Sequence, residues 1–393
     1  MEQISSYIDN DILYICLKGH IDSSNAAQAE EAINAIRAEH PEKQIILDAE
    51  QLEYISSAGL RVVLRLLKQK KDLHIINVSS SVYEILEMTG FTEMLTVKKA
   101  YRRLSVEGCT MIGRGANGAV YRYDEETIVK YYFNPNALPE IHHEREMARK
   151  AFILGINTAI PYDIVRVGDG YGAVAELLNA ESISHLLAED PEHIEKYAGI
   201  FIEMLKKIHS TELKPGDMPD MKQIAVDWAD FLKDYLPEDQ WEKLHALVEA
   251  VPERNTMLHG DYHSCNVMVQ NNETLLIDMD TLCMGHPIFE LASMFNAFVG
   301  FSEVDHETSL SFLGIPFEMA VDFWKICLKL YLDTEDEKVL AEVEKKAMVI
   351  GYTRMMRRAI RRNGLNTPDG QVRINRCKEQ LEKLLKEVDT LDF

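Results

Sequence analysis

The run His259-Gly260-Asp261-Tyr262-His263-Ser264-Cys265-Asn266, followed by Leu275-Leu276-Ile277-Asp278, constrains this chain more than any other feature. It spaces two carboxylates and an amide as metal-assisted phosphoryl transfer requires. One carboxylate must sit beside an acceptor hydroxyl, while the amide and the second carboxylate grip divalent metal on a nucleotide triphosphate. An Asp followed at a short interval by an Asn is a weak signal by itself. Here the turn-rich Gln270-Asn271-Asn272-Glu273 leads into Ile277-Asp278-Met279-Asp280, as a catalytic loop and hairpin would require. A polar loop ahead of a buried strand is the plainer reading of the same residues.

A second motif decides between them. Gly113-Arg114-Gly115-Ala116-Asn117-Gly118 has the GxGxxG pattern, which in a dinucleotide fold must be followed by a helix. Instead Ala119 to Tyr123 alternates, Asp124-Glu125-Glu126 turns, and Thr127 to Tyr132 alternates again. That is a glycine flap within a hairpin, where Gly113, Gly115, Asn117 and Gly118 let backbone approach phosphate oxygens. Lys130 on the next strand is placed to neutralise those phosphates, provided a carboxylate partners it. In the helix that follows, Ile141, Glu144, Ala148 and Ala151 share one face, whereas Glu146 lies with Arg149 and Lys150. The inward face therefore carries Glu144, the expected partner of Lys130. Tyr171 to Leu178 reads as a last strand running into a connector, with backbone groups at Glu176 and Leu178 positioned for an adenine edge.

Length and composition set the frame. A chain of 393 residues exceeds one ordinary core, and 46% hydrophobic with 27% charged residues is the balance of a globular protein. No apolar run reaches membrane-spanning length, and Met1-Glu2-Gln3 opens no signal sequence, so a cytoplasmic location without membrane contact is expected. Six scattered cysteines without a CxxC pair point to free thiols in a reducing compartment. The net charge of −22 argues against nucleic acid and suits solubility or a cationic substrate.

The first hundred residues alternate strand and helix: Ile12–Leu17, a helix capped by Ser23-Ser24-Asn25 through Ile36, Gln44–Asp48, a helix over Leu60–Leu67, Leu73–Val78, and Val82–Met88. Such spacing implies a sheet covered by helices. From Gly108 to about Leu178 strands dominate, and helical patterns follow to the end, with Tyr101–Leu104 as a short link. The expected organisation is thus an α/β module over residues 1–100, a β-rich lobe over 104–178 and a helical lobe over 179–393. Near the end, Arg354, Arg357, Arg358, Arg361 and Arg362 form a basic helical stripe. It reads either as a solvated face or as a site for an anionic acceptor or acidic partner.

The motifs GRGANGAVY, the strand Lys130, HGDYHSCN, LIDMD and GHPIFELAS resemble the aminoglycoside phosphotransferase family. The resemblance implies a bilobal protein-kinase-like fold and ATP-dependent phosphorylation of a hydroxyl, with Asp261 as catalytic base and Asn266 and Asp278 as Mg2+ ligands. Those oxygen donors are of the kind magnesium prefers. Asp280 reads as an auxiliary group or a solvated strand end, and His263 as a hydrogen bonder that braces the loop. Where the family has Asp-Leu-Ala, this chain has Glu290-Leu291-Ala292.

Residues 1 to about 100 resemble a STAS domain, as in anti-sigma-factor antagonists, through LKGHID, IILD and YISSAGLR. Ser57 aligns with that family's phosphoacceptor, with Ser56 in place of the preceding Asp and Ala58 in place of a hydroxyl residue. A serine at a helix start is also an ordinary N-cap. The resemblance implies a regulatory or docking module with a protein partner. The leading expectation is a small-molecule kinase of the aminoglycoside or choline type. The alternatives are a signalling kinase acting on Ser57 or a partner serine, and a non-catalytic nucleotide-binding scaffold.

Overall fold

The computed structural model describes residues 3–9, 11–70, 72–115, 117–271 and 273–393. Ala116 of the glycine flap, Asn272 of the hairpin turn, and Met1 and Glu2 lie outside the described residues. The chain divides into two compact units, Met1–Ser105 with Ile164–Asp169, and Val106–Asp163 with Gly170–Phe393.

In the first unit five strands, β1 (Ile4–Asp9), β2 (Ile12–Ile21), β3 (Gln44–Ile55), β4 (His74–Val78) and β5 (Thr96–Lys99), lie side by side in chain order. β1 and β2 form an antiparallel hairpin, and every later pair is parallel. The parallel pairs require crossovers, supplied by α1 (Ala26–Glu39), α2 (Ser57–Gln69), and α3 (Ser80–Met88) with α4 (Phe91–Met94). Burial alternates along β2, with Leu13, Ile15 and Leu17 inside, so one sheet face takes the helices. Asn25 holds the N-cap position of α1 but does not cap it. Its side chain accepts from the Asp22 N–H at 2.9 Å and donates to the His20 carbonyl, bracing the loop instead. Ser56 is the cap of α2, with its hydroxyl accepting from the Ala58 N–H at 3.1 Å, and Ser57 is the first, exposed helical residue. The expected link at Tyr101–Leu104 contains a strand, β6 (Arg103–Leu104), that pairs in parallel with Arg166–Val167.

In the second unit, β7 (Thr110–Arg114), β8 (Gly118–Arg122) and β9 (Thr127–Tyr132) form an antiparallel meander. Helix α5 (Leu138–Ile153) then buries Ile141, Glu144, Met147, Ala148 and Ala151. After β10 (Asp163–Val167), which but for Asp163 belongs to the first unit, strand β11 (Gly170–Glu176) returns antiparallel to β9. The remainder is helical around Ile288–Phe295, an element with all eight residues buried. A helix buried on every side belongs at the centre of a core. It is flanked by the long helix Glu337–Arg361, the helix Phe317–Leu332 and Ile194–His209. Val267–Gln270 and Glu273–Leu276 pair as a hairpin beside this core.

Candidate active site

Lys130 stands on β9, in which Val129 and Tyr132 are buried. Its ammonium donates to both oxygens of Glu144, at 2.8 and 3.0 Å, and to Asp278 Oδ1 at 2.7 Å. Tyr132 shares the strand face of Lys130 at i+2 and donates its hydroxyl to the same Glu144 carboxylate. Burial works against the charge on Lys130, but Glu144 and then Asp278 outweigh it and raise its pKa far above the ordinary value. Glu146, the residue set aside by helical periodicity, pairs with Lys150 on the exposed side.

The loop carrying Asp261 is fixed from three directions. Gly260 adopts φ +80°, and a Cβ there would lie 2.3 Å from the Thr281 carbonyl oxygen, so both conformation and space demand glycine. Glu290, fully buried, accepts from the backbone N–H groups of His259 and Gly260. Burial disfavours its charge, yet His209 and the His259 N–H hold its carboxyl below the usual range. The longer side chain in place of the family's aspartate therefore still braces the loop. Tyr262, also fully buried, donates to the Phe201 carbonyl at 2.6 Å and turns Asp261 the other way.

Asp261 faces His263 Nε2 at 3.7 Å and Arg354 Nη2 at 3.5 Å. Burial pushes its pKa up, but His263 first and Arg354 next hold the carboxyl well below its ordinary range. The same pairing, against burial, lifts His263 to about 9. Asn266 donates its amide to the Asp261 carbonyl at 3.1 Å, leaving its Oδ1 as the oxygen donor for a cation. The strand expected to run through Ile277-Asp278 ends at Leu276, and Asp278 sits in the left-handed region at φ +62°. That turn takes the Asp278 carboxylate out of the strand and into the same cavity as Asp261 and Asn266. Asp280 lines it too, and burial together with Asp278 and Glu144 pushes its pKa up to about 7.

One cavity of about 1140 Å³ is thus walled by Gly113, Gly115, Asn117 and Gly118, by Lys130 and Glu144, by Glu176 and Leu178, and by Asp261, Asn266 and Asp278. Ser57 belongs to the other compact unit. Among the described residues no group of three or more His, Cys, Asp or Glu is assembled to hold a metal ion. Two oxygen donors suit magnesium, which takes one or two side chains and completes its shell with water and phosphate oxygens.

Arg354 was visible in the sequence only as part of a basic stripe. Its guanidinium also donates to the Gly260 carbonyl at 3.1 Å and Ser293 Oγ at 3.0 Å and lies over Trp228, so it is part of the Asp261 loop. The stripe is not one solvated face: Arg357 and Arg358 lie over the Phe231 and Phe301 rings. Tyr132 went unassigned, although its place two residues after Lys130 was the available signal. All six cysteines are free thiols, and no helix is long and apolar enough to cross a membrane among the described residues.

A model of the STAS domain matches residues 3–104, and a model of the phosphotransferase enzyme family matches residues 108–309. BtrV of Bordetella bronchiseptica, whose name describes it as a candidate anti-sigma factor antagonist, is 38% identical over 90 residues, covering 22% of this chain and 77% of BtrV. In solved structures, the ternary complex of a thermostable mutant of aminoglycoside phosphotransferase APH(4)-Ia with ADP and hygromycin B superposes with a TM-score of 0.50 at 11% identity. That likeness covers 72% of this chain and 94% of the other, and it identifies the second unit's fold as kinase-like. With more than half of its length matched, the chain belongs to the phosphotransferase enzyme family and carries a STAS domain ahead of that region.

Proposed function

We propose that the second unit is an ATP- and Mg2+-dependent kinase that transfers the γ-phosphate to the hydroxyl of a small molecule. The observation that carries this reading is the Lys130 ammonium, which bridges Glu144 and Asp278 in a cavity shared with Asp261 and Asn266. A structural ion pair would be complete with one carboxylate; a lysine held by two, beneath a glycine flap, is set to meet phosphate.

The geometry supports the following roles. The flap glycines and Lys130 would cradle the phosphates, and the Glu176–Leu178 segment would receive the base. Asn266 and Asp278 would hold magnesium, which when bound supplies positive charge against the phosphate oxygens. Asp261 would orient the acceptor hydroxyl and take its proton. The acceptor oxygen bonds to the γ-phosphorus, the bond from that phosphorus to the bridging oxygen breaks, and ADP leaves with the electron pair. A carboxylate held well below its ordinary pKa is a weak base, which fits a loose transition state that needs positioning more than proton removal. The STAS domain would serve as the regulatory or docking module for a protein partner, within a cytoplasmic enzyme.

Isothermal titration with AMP-PNP and magnesium tests the nucleotide step, with binding expected and its absence sinking the proposal. The exposed Ser57 favours one second reading, in which the acceptor is a serine of this chain or of a partner. Intact-mass analysis after incubation with ATP separates the two, because only that reading places phosphate on Ser57 in a manner lost in Asp261→Asn.

A further inference from the structure

The cavity continues past Asp261 into a region that the nucleotide reading does not use. Its walls there come from the end of helix Glu337–Arg361, the start of helix Pro368–Glu387 and the π turn Asn296–Gly300. Four arginines line it, Arg358, Arg362, Arg373 and Arg376, against one carboxylate, Glu303. Glu303 is already neutralised, since it pairs with Arg376 at 3.3 Å and accepts from the Tyr352 hydroxyl at 2.8 Å. Arg373 is anchored by donating to the Phe301 carbonyl at 2.9 Å and to Thr308 Oγ1 at 3.5 Å, and its remaining N–H groups are left for a ligand. Among the described residues, Arg358 and Arg362 form no ion pair. Burial, and then Arg362 and Arg354, lower the pKa of Arg358, outweighing the opposing pull of Asp261, so cations are crowded here.

Two helix dipoles meet at this point. The C-terminus of the helix ending at Arg361 opposes an anion, but the N-terminus of the helix starting at Pro368 offsets it, and Thr367 and Gly370 at that end also line the cavity. The full charges of the arginines therefore set the sign. In a chain of net charge −22, so local an inversion would repel a polycation such as an aminoglycoside.

We propose that this end of the cavity binds an acidic group of the acceptor, so that the molecule phosphorylated is a hydroxyl compound bearing a carboxylate or phosphate, held by Arg358, Arg362 and Arg373. The inference rests on the phosphotransferase reading and names its substrate class. Arg354 fixes the near end, because it touches Asp261. Arg358 follows one turn along the same helix and Arg362 caps its end, about 6 and 12 Å further. Acceptor hydroxyl and acidic group are accordingly separated by the length of a small sugar or polyol, not by that of a large antibiotic.

The test uses the full chain saturated with AMP-PNP and magnesium, so that the nucleotide site is filled. Inorganic phosphate, glycerol 3-phosphate, glycerate, kanamycin and choline are titrated in turn and followed by NMR. The expected result is binding of inorganic phosphate or an acidic alcohol to wild type, weakened about tenfold or more in the Arg358→Gln/Arg362→Gln variant. AMP-PNP affinity should stay unchanged, which shows that the variant is folded. Preference for glycerol 3-phosphate or for glycerate assigns the acidic group. The proposal is overturned if AMP-PNP binds but none of the three anions does, if they bind the variant equally well, or if kanamycin or choline binds more tightly. Failure of AMP-PNP itself to bind removes the underlying reading, and this one with it.

Discussion

At Asp261 a single carboxylate meets His263, Arg354 and, through its backbone, Asn266. If it orients and deprotonates the acceptor, Asp261→Asn should lower turnover by roughly 10²–10⁴-fold while leaving AMP-PNP affinity nearly unchanged, measured by coupled ADP release and calorimetry. Equal loss of both would assign Asp261 to nucleotide binding. Lys130→Met should behave differently and weaken AMP-PNP binding, since it strips the cation from the phosphate side and leaves Glu144 and Asp278 facing each other without it. Glu290 is structural, and its effect is on stability. Its folded pKa is depressed, so its contribution is complete above the ordinary carboxylate range and is lost as pH falls through the folded value. Replacing it with Gln should cost about 3 kcal/mol near neutrality and flatten the acid limb of the stability profile, read from urea melts between about pH 5 and pH 2. An unchanged acid limb would contradict the assignment of its charge.

The elements explain why those side chains converge. Gly260→Ala must relieve both a left-handed φ and a contact with the Thr281 carbonyl, so a loss of about 3 kcal/mol or more is expected in denaturant melts, with turnover falling alongside. Much of this level was legible beforehand. The alternation of Thr127–Tyr132 and the helical face of Ile141, Glu144, Ala148 and Ala151 are periodic signals, and periodicity alone selected Glu144 over Glu146. What escaped was aperiodic. Asp278 in the left-handed region looks like strand in sequence, because the apolar run Leu275–Ile277 precedes it without a break. Asn25 looks like a cap, since cap and loop brace use the same residue type. Arg354 looks like surface: nothing local tells an arginine on a long helix that a loop more than ninety residues earlier packs against it. The pairing of Arg103–Leu104 with Arg166–Val167 is likewise non-local and has no signature in so short a segment.

Across the whole molecule two separate hydrophobic clusters are present, one drawn from Ile4 to Leu95 and one from Met147 to Leu391. Two cores predict two unfolding transitions. Leu47→Ala, which empties a fully buried position in the first cluster, should cost about 2–5 kcal/mol and lower one transition in calorimetry without moving the other. A shift of both would show that the two cores unfold as one. Charge is also distributed at this scale: a chain of net −22 keeps arginines at one end of this cavity, so net charge, read as suiting solubility or a cationic substrate, does not by itself give the local sign. The family and both domains were legible because their motifs are contiguous, whereas the arginine-lined end of the cavity is assembled from segments with no motif. The central claim is that this cavity transfers phosphate to a small hydroxyl compound. Its most direct test is mass spectrometry of the full chain incubated with ATP, magnesium and a mixture of acidic polyols and sugars. The account predicts a phosphate's mass gained by a small acceptor in the wild type and not in Asp261→Asn, with the protein itself unmodified. ATP left intact with every acceptor, or phosphate found only on Ser57, would contradict it.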